Sequence, residues 1–202
     1  MPSEQSRKDI EHFNRWSRRY DRSWIQRFAL PVHRDMLNVA GAMVPAPAVI
    51  LDVGCGTGRL LMKATERWPR ASLTGVDPSD GMVEIARRQV QGAGIYLGNA
   101  ESLPVADTSV DIVFSSISFH HWTDQAKGVG EIARVLRPGG CLCIADMTMP
   151  AWLTAFIRRV RVRSPEEMAR LFTGAGLSVD IQRRSGTWLV ALTAGIKKPD
   201  RR

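Results

Sequence analysis

No apolar run in this chain approaches the roughly 20 residues that a membrane-spanning helix needs, and its N-terminus is polar and charged. Neither a transmembrane span nor a signal peptide is expected. Cysteine is scarce. There are three, Cys55, Cys141 and Cys143, all in or beside apolar strand-like stretches. An odd number without zinc-site spacing argues against a disulfide framework and against a structural metal. A reducing cytoplasm is therefore the expected setting, with no metal site. Internal repeats and low-complexity tracts are also lacking. Acidic residues are in deficit, 20 Asp and Glu against 28 Lys and Arg, for a formal charge of +8. Most of the excess is arginine, in Arg15 to Arg34, Arg158 to Arg163 and Arg183 to Arg202. Such clusters suit a polyanion or anionic lipid, although a solvated basic surface is the plainer reading.

What is present is ordinary for one globular domain: 202 residues, 44% hydrophobic and 24% charged, enough for a full core. The informative stretch is Val49-Ile50-Leu51-Asp52-Val53-Gly54-Cys55-Gly56-Thr57-Gly58. An apolar run after Pro47 reads as a buried parallel strand. It breaks into Gly-x-Gly-x-Gly, and from Arg59 to Trp68 the spacing of Leu60, Leu61, Ala64 and Trp68 is helical. A strand, a glycine turn and a helix start make a cradle in which the backbone can approach a ligand closely.

Glycine turns are common, so three further features carry weight. A dinucleotide fingerprint requires Gly-x-Gly-x-x-Gly, and here Gly58 falls one place early, with Arg59 at the third position. Asp52 puts a carboxylate inside the strand, where charge is costly without a partner. A second strand, Leu73 to Asp77, ends in an acid at about the distance expected of a ribose-binding carboxylate.

On these residues the chain resembles the class I S-adenosylmethionine-dependent methyltransferases. It looks most like the small-molecule branch that includes the ubiquinone and menaquinone biosynthesis methyltransferases. The resemblance runs from about Val49 to Thr193 and implies a doubly wound, mostly parallel seven-stranded α/β sheet. The last strand would be antiparallel, inserted between the fifth and sixth. It also implies a cofactor, S-adenosylmethionine, leaving as S-adenosylhomocysteine, and a helical N-terminal lid. The division expected is a lid over residues 1–44, a cofactor-binding domain over 45–195 and a basic, mobile tail over 196–202.

The alternation of strands and helices agrees with such a sheet. One or two amphipathic helices precede Arg34, with Phe13, Trp16, Tyr20, Trp24, Ile25 and Phe28 as an aromatic stripe. Another helix is expected from Pro31 to Met43. Further helices should start at Pro78-Ser79-Asp80-Gly81, span Thr123 to Leu136 before the stop Arg137-Pro138-Gly139-Gly140, and start at the capping sequence Ser164-Pro165-Glu166-Glu167. The later strands are expected at Gly94–Leu97, Val110–Ser115, Cys141–Ala145, Ser178–Gln182 and Trp188–Ala194.

Functional residues are assigned through the same resemblance. Gly54, Cys55, Gly56 and Gly58 would pass the methionine part of the cofactor, whose ammonium needs acceptors such as carbonyls or Asp52. Asp77, followed by Pro78 and Met82, would take the ribose hydroxyls, since a carboxylate offers two oxygens. The family pattern Gly-Asp-Ala-Glu appears as Gly98-Asn99-Ala100-Glu101, with Asn99 keeping an accepting oxygen for the adenine amino group but not the charge. Tyr20-Asp21 matches the pair that closes the lid. Ser115 and the segment to Trp122 stand at the end of the fourth strand, where the reacting methyl would lie. His120 or His121 could act there as general base, or merely shape the pocket.

The segment at Ser115–Ile117 lacks the Asp/Asn-Pro-Pro-aromatic signature of base-amino methylation, no cysteine follows a proline, and RNA-binding signatures are absent. A small-molecule acceptor is therefore expected and a nucleic-acid partner disfavoured. Trp152, Leu153, Phe156, Ile157 and Val160 form an apolar stripe beside Arg158, Arg159, Arg161 and Arg163. The stripe suits a lipophilic acceptor or peripheral contact with anionic membrane, or a packed surface connection. Two other readings stay open: a methyltransferase of RNA, protein or phospholipid headgroups, and a non-catalytic cofactor-binding domain.

Overall fold

The β1 sequence Val49–Val53 is buried at four of its five positions and lies in the interior of a seven-stranded sheet, third from one edge. The computed structural model describes residues 4–20, 25–148 and 161–199. Its elements are α1 (Glu4–Tyr20), α2 (Ile25–Met43), β1, α3 (Arg59–Arg67), β2 (Ser72–Asp77), α4 (Asp80–Gln89), β3 (Gly94–Leu97) and β4 (Val110–Ser116). A 3-10 turn (Phe119–His121), α5 (Gln125–Val135), β5 (Leu136–Met147), α6 (Pro165–Gly174), β6 (Ile181–Ser185) and β7 (Thr187–Ile196) follow.

The strand order is β3-β2-β1-β4-β5-β7-β6. β1 pairs in parallel with β2 and with β4, and β7 is antiparallel to both β5 and β6. This is the topology that the resemblance implied. The order reverses at β1, so β2 and β4 diverge beyond its carboxyl end and leave a crevice.

Because both faces of the sheet are covered at its centre, strands β1, β4 and β5 are largely buried, whereas the edge strand β6 is mostly exposed. Met36, Ala40, Leu60 and Leu61 of α2 and α3 pack on Ile50, Ile112 and Phe114. On the other face Val129, Ile132 and Phe172 of α5 and α6 pack on Leu51, Val53 and Val113. The cores thus include α2, from within the 1–44 segment. α1 instead packs against α4.

Several boundaries differ from the sequence reading, each for a tertiary reason. Pro31 does not open a helix; it lies inside α2, whose buried Val32, Met36 and Ala40 hold the turn despite the missing N–H. Pro138, Gly139 and Gly140 follow α5 but do not form a loop. β5 already begins at Leu136, paired with Val110 across a register shift that tolerates a proline without a donor. β6 is shifted to Ile181–Ser185 from the expected Ser178–Gln182, and β7 extends to Ile196. Beyond β7, Lys197 exchanges backbone bonds with Gly139 (2.9 Å) and Gly140 (2.8 Å), so the start of the tail is tied down. Asp21, Trp24 and the stripe from Trp152 to Val160, with Arg158 and Arg159, lie outside the described residues. Arg161 and Arg163 donate to Trp122 O (2.8 Å) and Gln125 Oε1 (2.6 Å).

Candidate functional site

The turn after β1 is clipped to the end of β2. Gly54 N and Cys55 N both donate to Val76 O, at 2.8 and 3.2 Å, and Gly56 N donates to Asp77 Oδ2 at 2.9 Å. Gly54 has φ +76°, and a Cβ there would lie 1.7 Å from Ser118 Oγ, so backbone and the β4 loop meet where no side chain fits. Gly58 serves differently. Its φ is +85°, and a Cβ would press on Val90 Cγ2 at 2.5 Å, which makes it the residue that lets α3 approach α4.

Asp77 is buried and held at both oxygens: Gly56 N on Oδ2 and Ser79 N on Oδ1, each at 2.9 Å. Burial raises its pKa to about 6 even though the two amides pull the other way. Each oxygen keeps a lone pair for a further donor. Asp52 is 2% exposed, and its Oδ1 has no hydrogen-bond partner among the described residues. Burial first, and the charge of Asp77 second, push it up to about 8. His33 of α2 shares this cavity; burial, then Lys63 and Arg59, lower it to about 4.

Three adjoining cavities of about 390, 90 and 40 Å³ open around Gly54. Pro78, Asn99, Ala100 and Glu101 line the first. Tyr20, Gly56, Asp77, Pro78 and Met82 line the second, and Tyr20, Asp52, Cys55 and Gly56 the third. Of the expected residues, Gly58, Ser115 and His120 line none of the three. Ser115 is fully buried on the face of β4 opposite to that shared with Asp52, and its hydroxyl has no partner among the described residues. Its neighbours Ser116, Ile117 and Ser118 line the site in its place. Ile117 has φ +50°, an outlier for a β-branched residue, and its N–H is anchored on Ala145 O at 2.8 Å.

The two histidines separate. His121 faces the 390 and 90 Å³ cavities. His120 is buried behind it, with Nδ1 at 2.6 Å from Asp146 Oδ1 and its backbone N–H on Asp146 Oδ2 at 2.8 Å. The two rings lie 4.0 Å apart, tilted by 43°. Asp146, a carboxylate at the end of the apolar β5, was missed by the sequence reading; an acid closing the run Cys141–Ala145 was the available signal.

Helix α1 forms the roof. Ile10 and Phe13 line the cavities, and Phe13 meets the edge of His121 at 5.1 Å and 85°. Asn14 Oδ1 accepts from Ser79 Oγ (2.6 Å) and Gly81 N (3.1 Å), tying α1 to the residue that also holds Asp77. Among the described residues no cluster of three His, Cys, Asp or Glu could hold a metal ion.

A family model described as a methyltransferase domain matches residues 51–144. Malonyl-acyl-carrier-protein O-methyltransferase of Methylococcus capsulatus is 34% identical over 172 residues, covering 76% of this chain and 62% of its own. Demethylmenaquinone methyltransferase of Thermus thermophilus is 36% identical over 113 residues, 54% of this chain and 51% of its own. The chain thus spans about half to three-fifths of the length of these curated relatives. A chain from the Haloferax volcanii complex containing the Trm112 methyltransferase activator superposes with a TM-score of 0.81 over 95% of this chain and 98% of its own. Its identity is 21%, so the likeness is one of fold.

Proposed function

We propose that this chain is an S-adenosylmethionine-dependent methyltransferase, as its similarity to a methyltransferase domain and to named methyltransferases supports, and that it transfers the cofactor's methyl group to a small, lipophilic acceptor by in-line displacement. The observation that carries the reading is the convergence on one crevice of Asp77, held between two amides, Asp52, whose Oδ1 has no partner among the described residues, and the Gly54 turn. These groups fit the cofactor. Asp77 would accept the two ribose hydroxyls, and the oxygen of Asn99 would accept the adenine amino group. Asp52 suits the ammonium of the methionine part, and Gly54 and Gly56 keep side chains out of its path. When bound, the cofactor supplies a methyl already activated on a sulfonium, so the protein's share is binding, alignment and a dry site.

His121 is the better placed of the two histidines to take a proton from an acceptor, because it faces the cavity. His120 supports it from behind, held by Asp146. The lipophilic acceptor is suggested by the apolar wall of Ile10, Phe13, Met82 and Ile117 around the 90 Å³ cavity. Exposed Met147, Trp188 and Leu189 near Arg184, at the carboxyl end of β5, would let such an acceptor arrive from an anionic bilayer.

The deciding experiment incubates the protein and deuteromethyl-S-adenosylmethionine with cell extract and seeks labelled products by mass spectrometry. A labelled phenol, quinol or other apolar small molecule is the expected result. Label confined to RNA, protein or polar metabolites would overturn the acceptor class. Cofactor binding with no label in any fraction would overturn the enzymatic reading.

A further inference from the structure

We propose that uptake of S-adenosylmethionine expels a proton from Asp52 to the solvent. The inference rests on the β1–α3 turn being the cofactor cradle, and it adds a coupling that such a cradle does not require. Asp52 sits in the 40 Å³ cavity with its Oδ1 buried and without a hydrogen-bond donor among the described residues. The groups around it do not supply one. From β2 comes Asp77, negatively charged when ionised, with both oxygens already engaged by amides. From the turn comes Cys55, whose thiol burial holds well above its usual range. His33 of α2 is kept neutral by burial and by nearby cations. Arg59 of α3, Tyr20 of α1 and Ser116 of β4 line the same cavity, yet none of them donates to Asp52 Oδ1.

An ionised carboxylate oxygen buried without a protein donor is a costly state, and a proton on it is the cheaper one. Burial and the neighbouring Asp77 accordingly raise Asp52 to about 8. A ligand ammonium reverses the balance, because it brings both an opposite charge and N–H donors. The O–H bond of Asp52 breaks, its proton passes to the buffer, and an ammonium–carboxylate pair remains. No other reactant is needed. The sign follows: protons compete with the cofactor, so affinity weakens as pH falls below about 8.

Calorimetric titration with S-adenosylmethionine at pH 7, in buffers of low and high ionisation enthalpy, measures the proton count directly. The ligand's own amino group, with a pKa of roughly 8, is already mostly protonated there. Wild type should release between about half and one proton, and its affinity should weaken by up to about tenfold per pH unit from pH 8 to 6. Asp52→Asn should bind more weakly, with heat independent of buffer and a flatter pH profile. Should that variant fail to fold, infrared difference spectra of the wild type take its place: the protonated-carboxyl stretch should vanish on ligand addition. Binding with equal heats in both buffers, or a stretch that persists, would overturn the proton coupling and leave the cradle intact. Equal release by Asp52→Asn would overturn the assignment to Asp52. No binding at all by wild type would instead overturn the cradle.

Discussion

Asp77 and His33 show how much a single buried group can decide here, and in which direction. Asp77 is prepared by two backbone donors and keeps acceptor capacity toward the crevice. Asp77→Ala should strand both ribose hydroxyls and cost roughly 1–3 kcal/mol of cofactor binding, about 5- to 150-fold. Calorimetry on a variant of unchanged circular dichroism checks this, and unaltered affinity would remove Asp77 from the site. His33 instead controls stability. Its folded pKa of about 4 lies below its unfolded value of 6.5, so its contribution is complete above pH 6.5 and is lost as pH falls through 4. Up to about 3 kcal/mol is at stake. Asp52 and Asp77 act in the opposite sense: their raised values give a contribution present at low pH and lost as pH rises toward 6 and 8. Comparison with His33→Gln isolates the histidine. Between pH 7 and pH 4.5 the urea midpoint of wild type should fall further than that of the variant; parallel profiles would show that His33 does not titrate in this range.

At the scale of elements, α1 and β4 carry the site. α1 touches α4 through Asn14, which bonds both Ser79 and Gly81, and Ser79 in turn bonds Asp77. We expect cofactor binding at Asp77 to stiffen this chain of contacts, so that the amides of α1 around Trp16 and Tyr20 exchange more slowly in the loaded protein. Asn14→Ala should abolish most of that protection while leaving the sheet protected. Equal exchange with and without cofactor would make α1 a static wall rather than a lid. For β4, alternation decides which serine serves: Ser115 faces the α5 and α6 side, whereas Ser116 shares a face with Asp52. The sequence reading picked Ser115 because the strand was ended one residue early. Which side of a strand faces a ligand depends on its register with β1, and no local pattern reveals that.

For the molecule as a whole, the surface carries the apolar group Met147, Trp188 and Leu189, with Trp188 77% exposed. Flotation with anionic vesicles should carry the wild-type protein, and the double variant Trp188→Ser, Leu189→Ser should float less. Absence of wild-type flotation would retire the bilayer route and leave the acceptor pocket untouched. The net charge alone predicts less than it suggested, because Arg161 and Arg163 donate to Trp122 O and Gln125 Oε1 and Arg183 is paired with Asp35 at 2.6 Å.

The order of strands and helices, the glycine turn, Asp52, Asp77 and the family resemblance were all legible in the sequence. They rest on local chemistry: apolar runs make buried strands, glycines mark positive φ, and an acid within or closing an apolar strand stands out because burial there is costly. Tertiary structure alone decided that Gly58 serves helix packing, that His121 and not His120 faces the cavity, that Asp146 stands behind His120, and that Asn14 reaches across to Ser79. Those are contacts between residues up to 65 positions apart. They depend on how the sheet registers and which helix face meets it, and neither is written in any short stretch of the chain.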